Sequence, residues 1–275
     1  MAVASAILLS GCAGPVVNAD APDQVGSLDD GAQVVDPIEL VGLWRVRDAA
    51  GEGDSTWLRL AGGFMLWNDC GVAGGSWKAR DDAFLAEINT GHGGDCAFGE
   101  EFPADWLTDA TGYGYIDGEL ALLDAAGERL ARLTIDGNPP TSENFIDEYT
   151  EQPDVDEARE YINSEVEPLP AGALPVESLV GRWLPTDATG DTDPFLEFRA
   201  DGTYSGSDGC NGVGGRWAAG SNGALLATLG GTTQMGCDGS NVPQLISQAT
   251  TVGKVGDELT LYDADGAVLG ALVAG

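Results

Sequence analysis

Basic residues are scarce in this chain: 12 Lys and Arg stand against 45 Asp and Glu, a formal charge of −33 over 275 residues, and Lys78 and Lys254 are the only lysines. A surface this negative repels phosphate backbones and anionic headgroups, and no cluster of arginines overrides the mean, which argues against nucleic acid as a partner. The acidity itself reads as surface solvation. Histidine is limited to His92, so a zinc site built on a cysteine pair would lack ligands, and the second half of the chain has no imidazole to activate a cysteine. Methionine numbers 3 and glycine 41, a balance that favours a turn-rich β protein over a helical bundle. Past the N-terminus no stretch approaches the roughly 18 apolar residues of a spanning helix. GxSxG, HExxH and phosphate-binding glycine loops are also missing.

What the chain does contain, it contains twice. Leu40-Val41-Gly42-Leu43-Trp44 returns as Leu179-Val180-Gly181-Arg182-Trp183, and Cys70-Gly71-Val72-Ala73-Gly74-Gly75-Ser76-Trp77 returns as Cys210-Asn211-Gly212-Val213-Gly214-Gly215-Arg216-Trp217. Self-similarity at a nearly constant offset predicts two copies of one domain, residues 40–136 and 179–275. Units this small gain from a covalent staple. Residues 137–178 read as an acidic, proline-bracketed linker with two marginal helical stretches, Glu143 to Tyr149 and Pro153 to Asn163.

The chain opens on a small apolar segment that runs into Leu9-Ser10-Gly11-Cys12. This resembles a bacterial lipobox, which implies a signal peptide over residues 1–11, lipidation of Cys12, and a flexible tether over 12–39. No Lys or Arg precedes Cys12 and the apolar run is short, which places the true start codon upstream of Met1. The remaining four cysteines fall into one pair per copy, Cys70 with Cys96 and Cys210 with Cys237, as suits an exported protein. Each bridge would close a loop of about 27 residues and contribute roughly 3 kcal/mol in the chain-entropy picture.

Short apolar runs flank Asp-Gly turns at Phe195-Leu196-Glu197-Phe198 and Thr203-Tyr204-Ser205, and again around Asp263-Ala264-Asp265-Gly266 and Asp124-Ala125-Ala126-Gly127. These predict β-hairpins. One helix candidate separates the hairpins in each copy. In the second it runs from Asn241 to Val252, capped by Ser240 with Pro243 in the first turn; in the first it lies near Phe102 to Leu107. The fold class is therefore mainly β with minor α: two small antiparallel, barrel-like domains, each with one helix.

Several of these residues point to a family. Leu179-Val180-Gly181-Arg182-Trp183, Gly206-Ser207-Asp208-Gly209-Cys210-Asn211, Gly214-Gly215-Arg216-Trp217, Thr232-Thr233-Gln234-Met235-Gly236-Cys237 and Leu259-Thr260-Leu261-Tyr262 resemble a META domain, the module of HslJ-like bacterial lipoproteins. The first copy looks like a divergent relative: it keeps Trp44, Cys70, Gly74, Gly75, Trp77 and Cys96 but has Asp69-Cys70-Gly71 and lacks the Thr-Met block. The resemblance implies a compact antiparallel β domain of exported proteins, linked in some bacteria to heat or antibiotic stress, and brings no catalytic residues with it.

Trp44, Trp77, Trp183 and Trp217 recur between the copies and read as core. Trp57, Trp67 and Trp106 have no tryptophan counterpart and form a candidate ligand or partner face. Asp187, Asp191 and Asp193, with Asp263 and Asp265, are fragments of a calcium loop without its distal Glu, and turn chemistry accounts for the last two. The leading reading is a non-catalytic binding or structural module, with no metal or cofactor. It would be anchored by lipid to a membrane of the bacterial envelope, outside the cytosol, and act in envelope maintenance or stress response on an envelope protein or small ligand. A Ca²⁺-responsive acidic surface protein is the alternative, and a carboxylate-based hydrolase the third.

Overall fold

The computed structural model describes residues 35–92, 102–140, 147–159, 162, 166–174, 176, 178–188, 193–220, 222–231 and 240–275. A 3₁₀ turn, Pro37–Leu40, leads into the first sheet: β1 Gly42–Arg47, β2 Trp57–Leu60, β3 Phe64–Asn68, β4 Gly71–Arg80, β5 Ala83–His92, α1 Asp105–Thr108, β6 Gly112–Ile116, β7 Glu119–Leu123 and β8 Arg129–Thr134. The eight strands follow one another in order, all antiparallel, and β8 returns to β1 to close a barrel. Along β1 the inward residues Trp44 and Val46 alternate with Arg45 and Arg47, the period-two pattern of a sheet with one apolar face. Leu58, Leu60, Phe64, Leu66, Trp77, Phe84, Tyr113, Leu120, Leu122 and Leu133 complete the interior. Tyr113 is fully buried there and donates to the carbonyls of Asp81 and Val35 at 2.8 and 3.1 Å. Burial and four surrounding carboxylates push its hydroxyl far above its usual value, so it remains a donor.

The connector contributes a 3₁₀ turn, Asp147–Thr150, and α2 Val155–Arg159. Its acidic residues Glu151, Asp154, Asp156 and Glu157 are exposed, as expected of a solvated segment, while other residues tie it to the first barrel. The Gln152 side-chain amide accepts from Leu43 N and donates to Leu43 O, both at 2.9 Å, so it acts as a strand partner at the edge of β1. Ala158 and Ile162 join the core of the first barrel. Arg59, on the outer face of β2, meets the Tyr149 ring.

The second sheet repeats the plan: β9 Gly181–Pro185, β10 Phe195–Phe198, β11 Thr203–Ser207, β12 Gly212–Ala219, β13 Leu225–Ala227, α3 Val242–Gln248, β14 Thr251–Val255, β15 Glu258–Tyr262 and β16 Val268–Ala274. Its order, β13-β12-β11-β10-β9-β16-β15-β14, is that of the first barrel opened between the fifth and sixth strands. An isolated bridge, Ala224↔Thr251, and the bonds Leu225 N to Thr250 O and Val252 N to Gly223 O span the opening. The same junction is the thinnest in the first barrel, where Ala83↔Gly112 is the only register pair between β5 and β6. In each half the short helix is inserted at this seam, burying Trp106 and Leu107 in one and Val242 and Ile246 in the other.

The predicted hairpins form as read. α1 and α3 are shorter than predicted, and parts of the two linker helices, residues 143–146, 160, 161 and 163, lie outside the described residues. Asn241, rather than Ser240, caps α3 by accepting from Gln244 N at 3.2 Å, while Ser240 donates to Asp187 at 2.7 Å. The helix stops at Gln248 because the β-branched Thr251-Val252 enters β14 and pairs with β15.

Candidate functional site

The repeated motifs are first of all structural. Asp208 gathers the loop before β12: its Oδ1 accepts from the Cys210 and Asn211 amides at 2.8 and 2.6 Å, and its Oδ2 from Asn211 Nδ2 at 2.9 Å. Burial pushes this carboxyl up, but the hydrogen bonds from Asn211 and Cys210 outweigh it and hold the group below its ordinary value. In the first barrel Asn68 has the corresponding place and accepts from the Cys70 amide at 2.9 Å. Cys70 and Cys210, presented in this way, are both disulfide-bonded. Cys12, Cys96, Cys237, Asp191 and the block 232–237 lie outside the described residues.

The shared Gly-Gly has an equally local cause. A Cβ on Gly75 would fall 1.9 Å from Glu87 O and against the Phe64 ring; one on Gly215 would fall 2.4 Å from Thr228 O and 3.0 Å from the Tyr204 ring. Two strands and an aromatic side chain meet at a point where only glycine fits. The paired tryptophans are likewise matched: Trp44 and Trp183 donate to the carbonyls of Leu40 and Leu179, and Trp77 and Trp217 to those of Ala61 and Arg199.

The candidate ligand face of Trp57, Trp67 and Trp106 is not formed. All three are buried, 3 to 4% exposed. Trp57 and Trp67 oppose one another across β2 and β3 in a small outer cluster with Leu43, with the Arg45 guanidinium over the Trp57 ring at 4.6 Å. Trp106 belongs to the barrel core, where its indole N–H donates to Glu52 Oε1 at 2.7 Å, a carboxylate that also accepts from Thr56 and Asn68. Arg45 over Trp57 and Glu52 beside Trp106 are partners that the repeat pattern does not reveal.

The acidic loops are also engaged internally. Asp263 Oδ1 accepts from the Asp265 and Ala267 amides, as Asp124 Oδ1 does from Ala126 and Glu128. Among the described residues no group of three or more His, Cys, Asp or Glu side chains is placed to hold a metal ion. The carboxyls that burial pushes up, Asp82 and Glu87, lie at different levels of the β4–β5 hairpin, and Glu87 faces Arg216.

A site that motif reading did not single out lies where the two sheets meet. Ser76, Lys78 and Arg80 alternate along β4 on the face opposite Trp77 and Ala79, and that face packs against β12 and β13. Ser76 Oγ donates to Leu229 O at 2.7 Å and accepts from Leu229 N at 3.0 Å; Asn89 donates to the same carbonyl, and Arg80 to Leu225 O at 2.9 Å. Ala83 and Leu85 meet Ala218 and Leu226 beside these bonds. Between the sheets remains a cavity of about 150 Å³ lined by Lys78, Arg80, Leu225, Leu226, Ile162 and Thr250, among others. Burial, and then the neighbouring Arg80, pull the Lys78 ammonium below its usual value; burial also pulls down Arg80, against the attraction of Asp81. The available signal was one of only two lysines, spaced by two from Ser76 and Arg80 on a strand, but the sequence does not show what faces them.

The fold and this cleft define a class: a doubled antiparallel β-barrel scaffold with a small internal cavity. A family model described as the META domain matches residues 176–274, which covers the second barrel and the segment entering it. No curated protein and no solved structure matches the chain.

Proposed function

We propose that the chain is an exported, lipid-anchored, non-catalytic binding module of the bacterial envelope, made of two META-type barrels docked into one body. The observation that carries this is the equivalence of the halves: the same strand order, the same seam filled by a short helix, and the same roles for Trp44 and Trp183 and for Gly75 and Gly215. With the META match on the second barrel, that equivalence supports reading the first as a divergent copy. On this reading Cys70 pairs with Cys96 and Cys210 with Cys237, Cys12 carries the acyl anchor, residues 12–39 form the tether, and the protein serves envelope maintenance or stress tolerance. Among the described residues no helix is long and apolar enough to cross a membrane.

Metabolic labelling with an alkynyl fatty acid in the native host, followed by detergent-phase partitioning, tests the anchor. The wild-type chain is expected to label and enter the detergent phase, and Cys12→Ser to do neither; an unlabelled wild type overturns the anchor. Non-reducing peptide mapping of the same material should recover the two intra-barrel cystine peptides.

A further inference from the structure

We propose that the cavity between the barrels binds one small organic carboxylate, its anionic end held by Lys78 and Arg80 and its apolar body against Leu225, Leu226 and Ile162. The inference deepens the binding-module reading and rests on the docking of the two halves.

The charge distribution is the starting point. In a chain of net charge −33, four arginines pair with acids: Arg47 binds Asp54 and Asp136, Arg132 binds Asp48 and Glu119, and Arg182 and Arg199 share Glu197. Lys78 and Arg80 are not among them, and unlike the exposed cations they are largely buried. They project from the same face of β4 into a cavity whose described lining residues include no Asp or Glu, and among the described residues neither makes an ion pair. Arg80 uses one N–H on Leu225 O, and Lys78 makes no side-chain hydrogen bond to any of the described residues. Arg80 feels the attraction of Asp81 in the turn after β4, while Glu87 on β5 interacts electrostatically with Arg216; neither carboxylate is among the described lining of the cavity. Holding two like charges side by side in a partly desolvated cleft is unfavourable unless an anion completes the set.

The same lining sets the class of anion. A guanidinium fork beside an ammonium matches a carboxylate, and leucine and isoleucine walls favour an apolar body over a fully hydrated inorganic ion. The volume, about 150 Å³, is on the scale that admits one benzene-sized molecule. Ser247 and Thr250 at the lining spend their hydroxyls on Gln244 O and Tyr262 O, so charge, more than hydroxyl recognition, selects the ligand.

Isothermal titration calorimetry of the full chain with benzoate, benzamide and inorganic phosphate at matched ionic strength tests this. Benzoate is expected to bind one per chain, saturating by about 10 mM, with benzamide and phosphate at least about tenfold weaker. Lys78→Met should weaken benzoate about tenfold or more while melting at or above the wild-type temperature, because it removes a charge that burial disfavours. Lys78→Gln repeats the test if the methionine variant folds poorly, and Arg129→Gln, far from the cavity, should bind as wild type. No saturable binding, phosphate binding in preference to benzoate, or equal benzoate affinity in the Lys78 variants overturns the site. Small-angle scattering on the same sample separates the two failures: docked barrels without benzoate binding defeat the carboxylate site alone, and separated barrels defeat the docking on which it depends.

Discussion

At the scale of single residues, the repeated motifs mark places where the barrel allows little choice. Gly75 and Gly215 are fixed by the approach of a neighbouring strand carbonyl and an aromatic ring, and Asp208 by the three donors it accepts from. Asp208→Ala should cost about 2 to 3 kcal/mol near neutral pH, since it removes three hydrogen bonds to a charged acceptor, each worth about 1 kcal/mol or more. The pH dependence has a definite sign. A carboxyl held below its ordinary value of 3.8 contributes stability that is complete above that value and lost as pH falls through the lower, folded-state value. Urea unfolding near pH 7 and again near pH 3 should show the wild type losing more stability on acidification than Asp208→Ala; equal losses would contradict the assignment. These positions were legible because a repeated Cys, Gly or Trp marks a shared backbone requirement. The burial of Trp57, Trp67 and Trp106 was not legible: they have no repeated partner, and Arg45 and Glu52, which meet Trp57 and Trp106, are far from them in sequence or unremarkable in pattern.

At the scale of elements, hairpins were readable and helices less so. Asp-Gly turns between alternating runs specify register locally, so Phe195–Phe198 and Thr203–Ser207 pair as their sequences suggest. The stretch after α3 has apolar spacing compatible with a helix, but pairing of Thr251–Val255 with Glu258–Tyr262 takes it into the sheet, a tertiary override of local pattern. The connector's acidic residues Glu151, Asp154, Asp156 and Glu157 are solvent-exposed, and Gln152 also fastens it to the edge of β1 through both backbone groups of Leu43, a contact its composition does not announce. Gln152→Ala should lower stability by about 1 to 3 kcal/mol and expose the connector to proteolysis. Unchanged cleavage within residues 147–159 would mean that the strap contributes nothing.

At the scale of the whole molecule, doubling creates what neither half possesses. Each barrel fills its own interior with aromatic and aliphatic side chains, whereas the cavity at the junction of β4–β5 with β12–β13 is lined by Lys78 and Arg80. The repeat in the sequence announced two domains, but their docking depends on Ser76, Asn89 and Arg80 reaching backbone carbonyls roughly 140 to 150 residues away, contacts with no periodic signature. The central claim is that the two barrels behave as one cooperative body. Differential scanning calorimetry of the full chain at neutral pH addresses it directly: the account predicts a single transition whose calorimetric and van't Hoff enthalpies agree, shifted to lower temperature by Ser76→Ala. Two separable transitions, with Ser76→Ala altering neither, would contradict it.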